Sequence, residues 1–554
     1  MTNQWWKNSV VYQIYPKSFL DSNGDGVGDL NGITQRMDYI ASLGVDVVWL
    51  CPVFQSPMDD NGYDISDYYK IDPLFGTNED MDRLLAEAKA RGIKVLLDLV
   101  VNHCSDEHAW FQRAKSNPCC EEAGYFYFAK TSDGKEPNNW RSSFGGSVWS
   151  QLPDGRWYYH TFSPKQPDLN WENPKLRREV YKIIEYWLQK GAAGFRVDAI
   201  TFIKKELSFQ SREPEEGGRY SVEHLTNLPG IGAFLEEMRT EVFEPYNCMT
   251  VAEAPGVDMA SFRRYAGNDG YFSMIFDLNW DDMEGEPDKS NLAAVERWKE
   301  KIFRSQRFTS ASGWPAVFLE NHDQARCVNK FLECKDRSFF SASALATIYF
   351  FLYGTPFIYQ GQEIGMTNAV WNSADEMDDV RVRRALEEKT YAEEPPEKLL
   401  EQLSELSRDH ARTPMQWNAG PNAGFSTGTP WLKVQENHTE INVENAESDP
   451  SSLLSYYKKL VYLRRNADCS NIFRDGAFEP LMEDRHGIIA YRRFVGDASV
   501  YVAVNFTNTP KEAALPGGVC LLSNHREPVS DSRSMILKPY QAVVFYDTRS
   551  KARE

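Results

Sequence analysis

Val180-Tyr-Lys-Ile183-Ile184-Glu-Tyr-Trp187-Leu188-Gln-Lys190-Gly191-Ala-Ala-Gly194-Phe-Arg196-Val-Asp198 contains a helix, its stop signal and a strand in one run. Val180, Ile183, Ile184, Trp187 and Leu188 recur at helical spacing and predict one apolar face. Lys190-Gly191 closes that helix where a C-cap is expected, and Gly194 to Val197 reads as a short buried strand. The same unit repeats on both sides: Met81, Leu84, Leu85 and Ala88 form another helical stripe before Arg91-Gly92. Candidate strands lie at Val10 to Ile14, Val45 to Leu50, Lys94 to Leu99, Gly194 to Val197, Met249 to Ala252, Tyr271 to Phe276, Ala316 to Leu319 and Pro356 to Ile358. Eight strands alternating with helices predict an α/β chain whose sheet closes into a (β/α)8 TIM barrel. An open α/β sheet would normally begin with a Gly-rich phosphate turn, and neither GxGxxG nor GxxxxGK[ST] occurs.

The 554 residues suit about three domains, or fewer if one is a large barrel. Between the third and fourth strands, the span from Cys104 to Trp171 is too long for a plain loop and is rich in Trp, Tyr, Gly, Asn and Pro, which predicts a small inserted domain. After Leu463 the pattern turns to alternation, as in Gly487-Ile-Ile-Ala-Tyr-Arg-Arg-Phe and Ser499-Val-Tyr-Val-Ala-Val, which predicts a C-terminal antiparallel β-sandwich. The expected organisation is barrel over 1–103, insertion over 104–170, barrel again over 171–470 and sandwich over 471–554. Met366 to Trp417 follows the eighth strand and should stand over the barrel's catalytic face.

Lys and Arg number 61 against 80 Asp and Glu, a net charge of −19, and such a surface repels phosphate backbones and anionic membranes. Neither nucleic acid nor membrane is an expected partner. Phe, Tyr and Trp make up 13% of the chain, enough for a large aromatic core or a cleft that stacks sugar rings. Met1-Thr-Asn-Gln-Trp-Trp-Lys has no apolar signal region, so the expected location is cytoplasmic. Ser338 to Gln362 is free of charge, but Gly354-Thr-Pro356 interrupts it, which predicts a buried helix followed by a buried strand rather than a membrane span. The nine cysteines read as reduced thiols. His103, Cys104 and His108 lack a fourth ligand at zinc spacing.

Charged groups collect at the predicted C-terminal strand ends, where such barrels place their chemistry. The third strand ends Asp98-Leu-Val-Val-Asn102-His103, the fourth Arg196-Val-Asp198, the fifth Val251-Ala-Glu253, and the seventh Leu319-Glu-Asn321-His322-Asp323. Arg196 and Asp198 lie two apart on a strand and so point to one face, where the arginine should hold the aspartate ionised as a nucleophile. Glu253 follows an apolar strand, and desolvation there would suit a general acid. A carboxylate nucleophile with a carboxylic acid is the equipment of retaining glycoside hydrolysis.

These regions resemble the α-amylase family, glycoside hydrolase family 13. Trp5 to Phe19, Asp60-Asn-Gly-Tyr-Asp64, Gln166-Pro-Asp-Leu-Asn-Trp-Glu-Asn-Pro174 and Arg412-Thr-Pro-Met-Gln-Trp417 narrow the resemblance to the oligo-1,6-glucosidase and α-glucosidase subgroup. It implies Asp198 as nucleophile, Glu253 as acid/base and Asp323 as the third carboxylate that binds sugar hydroxyls. It implies that His103, Arg196 and His322 hydrogen-bond the same ring, that Tyr63 stacks on it, and that Phe144, Phe162 and Gln166 line the pocket. An Asp60–Arg412 pair is expected to block the pocket beyond one ring, giving an exo-acting enzyme on small oligosaccharides, monomeric or a weak homodimer. No organic cofactor is implied. A structural Ca2+ or Mg2+ is implied at Asp21-Ser-Asn23-Gly-Asp25-Gly-Val27-Gly-Asp29, through the side chains of Asp21, Asn23, Asp25 and Asp29 and the Val27 backbone oxygen. The loop offers oxygens at alternate positions, but Gly32 stands where an EF-hand needs Glu.

Ala199, after the nucleophile, is smaller than the Val usual in α-1,6-preferring members, which leaves α-1,4 bonds open to the enzyme. The same resemblance admits sucrose hydrolysis or isomerisation, and trehalose-6-phosphate hydrolysis. Against these, Arg326-Cys-Val-Asn-Lys-Phe331 lacks the Arg/Asp-rich isomerase pattern, and Ala254-Pro-Gly is unlike the trehalose-6-phosphate hydrolases. A non-catalytic sugar-binding relative would have lost carboxylates that this chain keeps.

Overall fold

The computed structural model describes residues 4–215, 218–267, 269–280, 283, 286, 288–388, 390, 394–525 and 534–548. Eight parallel strands close the barrel: β1 (Val11–Ile14), β2 (Val47–Leu50), β3 (Lys94–Val100), β4 (Gly194–Asp198), β5 (Met249–Ala252), β6 (Met274–Phe276), β7 (Pro315–Val317) and β8 (Thr355–Tyr359). β1 pairs with both β2 and β8, which seals the ring. Strands buried on both faces carry continuous apolar runs, and Val11, Val47, Trp49, Leu96, Val251, Met274, Ala316 and Phe357 fill the interior. β6 is shorter than its sequence run, because the amides of Tyr271 and Phe272 bond the carbonyls of Arg264 and Tyr265 instead of a neighbouring strand.

The helix before β4 spans Pro174–Lys190, with the Asn173 side chain accepting from the Lys175 amide and Pro174 in its first turn. Gly191 ends it at φ 114°, a left-handed conformation costly for residues with a Cβ. The uncharged stretch folds as the helix Phe339–Phe350 and then β8, both buried. Among the described residues no helix is long and apolar enough to cross a membrane.

Between β3 and β4 the chain forms the helix Ala109–Ser116 and a small sheet of Phe128–Ala129, Trp157–Tyr159 and Trp149–Gln151. Trp140, Trp149 and Tyr159 pack there around Phe209, and a His103–Asp168 bridge ties together the ends of the excursion. The C-terminal region is a five-stranded antiparallel sheet with a two-stranded sheet against one face. Tyr491 and Arg493 on its other face bond the last carbonyls of the helix Phe339–Phe350 and the turn after it, which fastens the sheet to the barrel.

Candidate active site

Arg196 stands at the centre of the carboxylates delivered by β3, β4 and β5. Its Nη1 donates to Asp98 at 2.9 Å and to Asp198 at 2.5 Å, while Nη2 donates to Glu253 at 2.6 Å. Arg196 and Asp198 share a face of β4 by the strand's two-residue period, and Arg196 lies opposite Val251 on β5, two residues before Glu253. The backbone N–H of Ala199 adds a second donor to Glu253 at 3.2 Å. Glu253 is therefore gripped by a cation and an amide, not set in apolar surroundings as its strand suggests.

One guanidinium facing three carboxylates leaves excess negative charge in a buried space. Burial raises Asp98 to about 6 even against Arg196, Tyr63 and Trp49, which all bind it. Burial also pushes Asp198 well above the usual carboxylate range; Arg196 opposes this, and Glu253 and Asp98 add to it. Arg196 alone thus does not fix Asp198 as an anion, because its charge is divided. Asp98 and Asp198, the two fully buried carboxylates of the cluster, therefore share a tendency to keep a proton.

Asp323 is built in the opposite sense. Arg412 Nη2 donates to it at 2.8 Å, Arg408 Nη1 at 3.3 Å, and His322 Nε2 lies 3.0 Å away. Burial would raise its pKa, but these groups hold it well below the usual range. Burial pushes His322 down to about 3, so near neutral pH Arg408 and Arg412, with Arg381 adding to them, do this. His322 Nδ1 receives the Gln13 amide at 2.9 Å, its Nε2 reaches Tyr63 Oη at 2.7 Å, and its ring stacks on Tyr63 at 5.4 Å. Tyr63 Oη in turn donates to Asp98 at 3.0 Å, joining the two charge clusters.

The expected Asp60–Arg412 pair does not form. Asp60 pairs with Arg408 at 2.9 Å, and Arg408 is held by Asp379 at 2.8 Å. Arg412 instead donates to Asp323 and, through Nε, to the His322 carbonyl at 2.9 Å. The two arginines lie four residues apart around the one-turn helix Asp409–Arg412, so they approach the site from different levels.

A cavity of about 370 Å³ opens over these groups, at the small end of the range for ligand pockets. Asp60, Tyr63, His103, Phe144, Phe162, Asp198, Ala199, Glu253 and Asp323 line it. Gln166, Arg196, His322 and Arg412 do not; they are buried behind the lining and position it, Gln166 by donating to Asp60 at 3.2 Å. Pro255, from the Ala254-Pro-Gly run, also lines the cavity, and Ser143, Phe202, Glu223, Thr226, Arg381 and Arg408 line it without having been expected there from sequence. Arg408 sits in the run before Arg412, but Glu223, Thr226 and Arg381 carry no sequence signal that marks them.

In the loop Asp21 to Asp29, the donors are the hard oxygens that Ca2+ or Mg2+ takes. Asp21 accepts from the amides of Asn23, Gly24 and Gly26 at 2.9, 2.7 and 2.8 Å and from Ser426 Oγ at 2.5 Å. Asp29 accepts from the Ser22 and Gly32 amides at 2.8 and 2.7 Å, and Asn23 and Asp25 close turns on the amides of Asp25 and Val27 at 2.9 Å. The residue chemistry fits a hard cation, but in this arrangement the chain's own donors engage the carboxylates. Among the described residues no group of three His, Cys, Asp or Glu is placed to hold a metal ion.

The sequence matches the family "Alpha amylase, catalytic domain" over residues 13–474. It is 44% identical to an oligo-1,6-glucosidase of Heyndrickxia coagulans, over 98% of this chain and 99% of that protein. It is 42% identical to the oligo-1,6-glucosidase of Bacillus cereus, over 98% and 100%. Among solved structures, it resembles the trehalose-6-phosphate hydrolase of Bacillus licheniformis (TM-score 0.89, 39% identity, 98% of this chain and 100% of that one). It also resembles the trehalulose synthase of Pseudomonas mesoacidophila (TM-score 0.91, 35%, 98% and 99%). A parallel eight-stranded barrel with its carboxylates at the strand ends, and matches that run almost end to end, make the chain a member of the alpha-amylase family of glycoside hydrolases.

Proposed function

We propose that the protein is a retaining, exo-acting α-glucosidase that removes terminal non-reducing glucose from short α-linked oligosaccharides, through α-1,6 bonds, α-1,4 bonds or both. The observation that carries this is Asp198 and Glu253 bound to neighbouring nitrogens of one guanidinium. That arrangement favours the close spacing, ~5 to 5.5 Å, of a nucleophile and its acid/base over the wider gap that admits an inverting water. Asp198 would attack the anomeric carbon while Glu253 protonates the departing oxygen. Glu253 would then deprotonate the water that frees the sugar, so the α configuration is kept. Asp323, held anionic by Arg408 and Arg412, would bind ring hydroxyls as they tighten in the transition state. The Asp60–Arg408 pair across the inner end supports release of one glucose at a time.

The product anomer, read by proton NMR within the first turnovers on an aryl α-glucoside, tests the mechanism: α-glucose is expected first, and β-glucose would overturn it. We also propose Ca2+ or Mg2+ at the loop Asp21 to Asp29 as a structural ion, supported by its oxygen donors. Millimolar Ca2+ should raise Tm and EDTA lower it; no response to either would remove the ion. Nine unpaired thiols support action in the reducing cytoplasm.

A further inference from the structure

Gln13 lies inside the barrel, on the same face of β1 as Val11, with Trp49 opposite it on β2 and only 1% of its surface exposed. Both N–H groups of its amide are used: they meet His322 Nδ1 at 2.9 Å and Cys51 Sγ at 3.3 Å. The His322 ring has little freedom left, since Tyr63 and Tyr15 stack on it at 5.4 and 5.9 Å. Asp323 lies 3.0 Å from its Nε2. A carboxylate held anionic can only accept, so Nε2 must carry a hydrogen. Burial, and then Arg196, Arg412 and Arg408, oppose a second proton on the ring, with Asp323 alone favouring it. Nδ1 is therefore bare and buried, and Gln13 is the donor that satisfies it.

The hydrogen placed on Nε2 decides the next bond. Tyr63 Oη lies 2.7 Å from Nε2 and 3.0 Å from Asp98, and a hydroxyl has one hydrogen to give. Facing an N–H, it accepts from His322 and donates to Asp98. Asp98 also receives Trp49 Nε1 at 3.2 Å, and it shares Arg196 Nη1 with Asp198. Donors to the charged form favour that form, and these two buried carboxylates are coupled through one nitrogen. We infer that Gln13 is a positioning residue: by holding His322 as the Nε2–H tautomer it points the Tyr63 hydroxyl at Asp98, and so helps keep the Asp98–Asp198 pair ionised for nucleophilic attack. Gln13 does not line the cavity and acts only through this relay. Without it nothing holds hydrogen off Nδ1, and the Tyr63 hydroxyl can turn from Asp98 to Nε2. This rests on the glucosidase reading above.

The test follows kcat/KM for an aryl α-glucoside against pH in the wild type, Gln13→Met, Tyr63→Phe and the double variant. The acid limb reports the carboxylates that must be ionised in the free enzyme. Gln13→Met should raise its midpoint by roughly 0.5 to 1 pH unit, the shift that one hydrogen bond to a carboxylate is worth. Tyr63→Phe should raise it too, and the double variant should go no further than Tyr63→Phe alone, because both changes break one relay. The position of the limb does not depend on how much protein is folded, and Gln13→Leu, which also lacks a donor, carries the same comparison if the Met variant does not fold. A donor-free variant that loses activity with its acid limb unmoved has lost packing alone and overturns the inference, as does a double variant in which the two shifts add. A wild type that leaves the glucoside uncleaved at every pH would instead overturn the glucosidase reading.

Discussion

Arg408→Met removes the cation that joins Asp60, Asp323 and Asp379, while its unbranched stem keeps much of the volume. In the native protein Arg408 meets Asp379 through Nε at 3.0 Å and Nη2 at 2.8 Å, Asp60 at 2.9 Å and Asp323 at 3.3 Å. Truncation leaves Asp323 with Arg412 and His322, Asp379 with backbone amides, and Asp60 with Gln166. Removing one partner of a buried ion pair costs about 3–5 kcal/mol, because the charge left behind is uncompensated. For a protein of this size that lowers Tm by several degrees. The sign with pH follows from direction: Asp323 and Asp379 both sit below the usual carboxylate range in the native state. Their contribution to stability is full above the unfolded pKa of about 4 and is lost only as pH falls through the much lower folded values. Without Arg408 those folded values rise, so the deficit is full at neutral pH and shrinks as the stranded carboxylates protonate. Catalysis should move the same way. Loss of a charge-assisted hydrogen bond at the pocket end, worth about 1.5–3 kcal/mol, predicts a ~10- to 150-fold fall in kcat/KM for an aryl α-glucoside. The acid limb of the pH profile should shift upward as Asp323 becomes easier to protonate. A Met variant within threefold of wild type, with an unmoved acid limb, would refute the role given to Arg408. Asp60→Asn should lower kcat/KM as well, and the double variant should lose less than the sum of the two, since both changes break one contact.

Asp198→Ala and Glu253→Gln should each reduce hydrolysis of an aryl α-glucoside by several orders of magnitude, and a wild-type rate in either would remove the assignment. Ala199→Val should move the maltose to isomaltose ratio of kcat/KM toward isomaltose; it should also cost about 1–2 kcal/mol in denaturant unfolding, because Ala199 sits at φ 43° where a β-branched side chain is strained. Burial pushes His108, His160 and His410 down to about 4 and His322 to about 3. At these four rings the unfolded chain binds more protons than the native one below about pH 6.5, whereas buried Asp64, Asp98 and Asp409, raised to about 7, 6 and 6, act in the opposite sense; His410→Gln should therefore lessen the loss of urea midpoint between pH 6.5 and pH 4 relative to wild type, and an unchanged difference would show that ring charged or exposed.

The eight strands were legible because a parallel sheet covered on both faces needs unbroken apolar runs, and the helices between them carry their own stops, such as Lys190-Gly191. The carboxylates were legible for a related reason: each ends a strand, and a barrel brings its strand ends to one rim. What sequence could not supply is lateral. The run before Glu253 is apolar along its own strand, yet Arg196 reaches it sideways because β4 pairs with β5 in a register that sets Arg196 opposite Val251. The same sideways geometry divides one guanidinium among Asp98, Asp198 and Glu253, and so changes the protonation expected from Arg196 and Asp198 taken as a pair. Arg408 and Arg412 pose this problem in a helix. They lie one turn apart on the same segment, and nothing in spacing decides which of them meets Asp60. Asp379 decides it by binding Arg408 through Nε and Nη2 and aiming the remaining donors at Asp60 and Asp323. Ala199 shows the limit most sharply. Read as a side chain it is a small neighbour of the nucleophile, but its left-handed backbone points an N–H at Glu253, and an alanine, unlike a glycine or an asparagine, does not advertise that conformation in sequence.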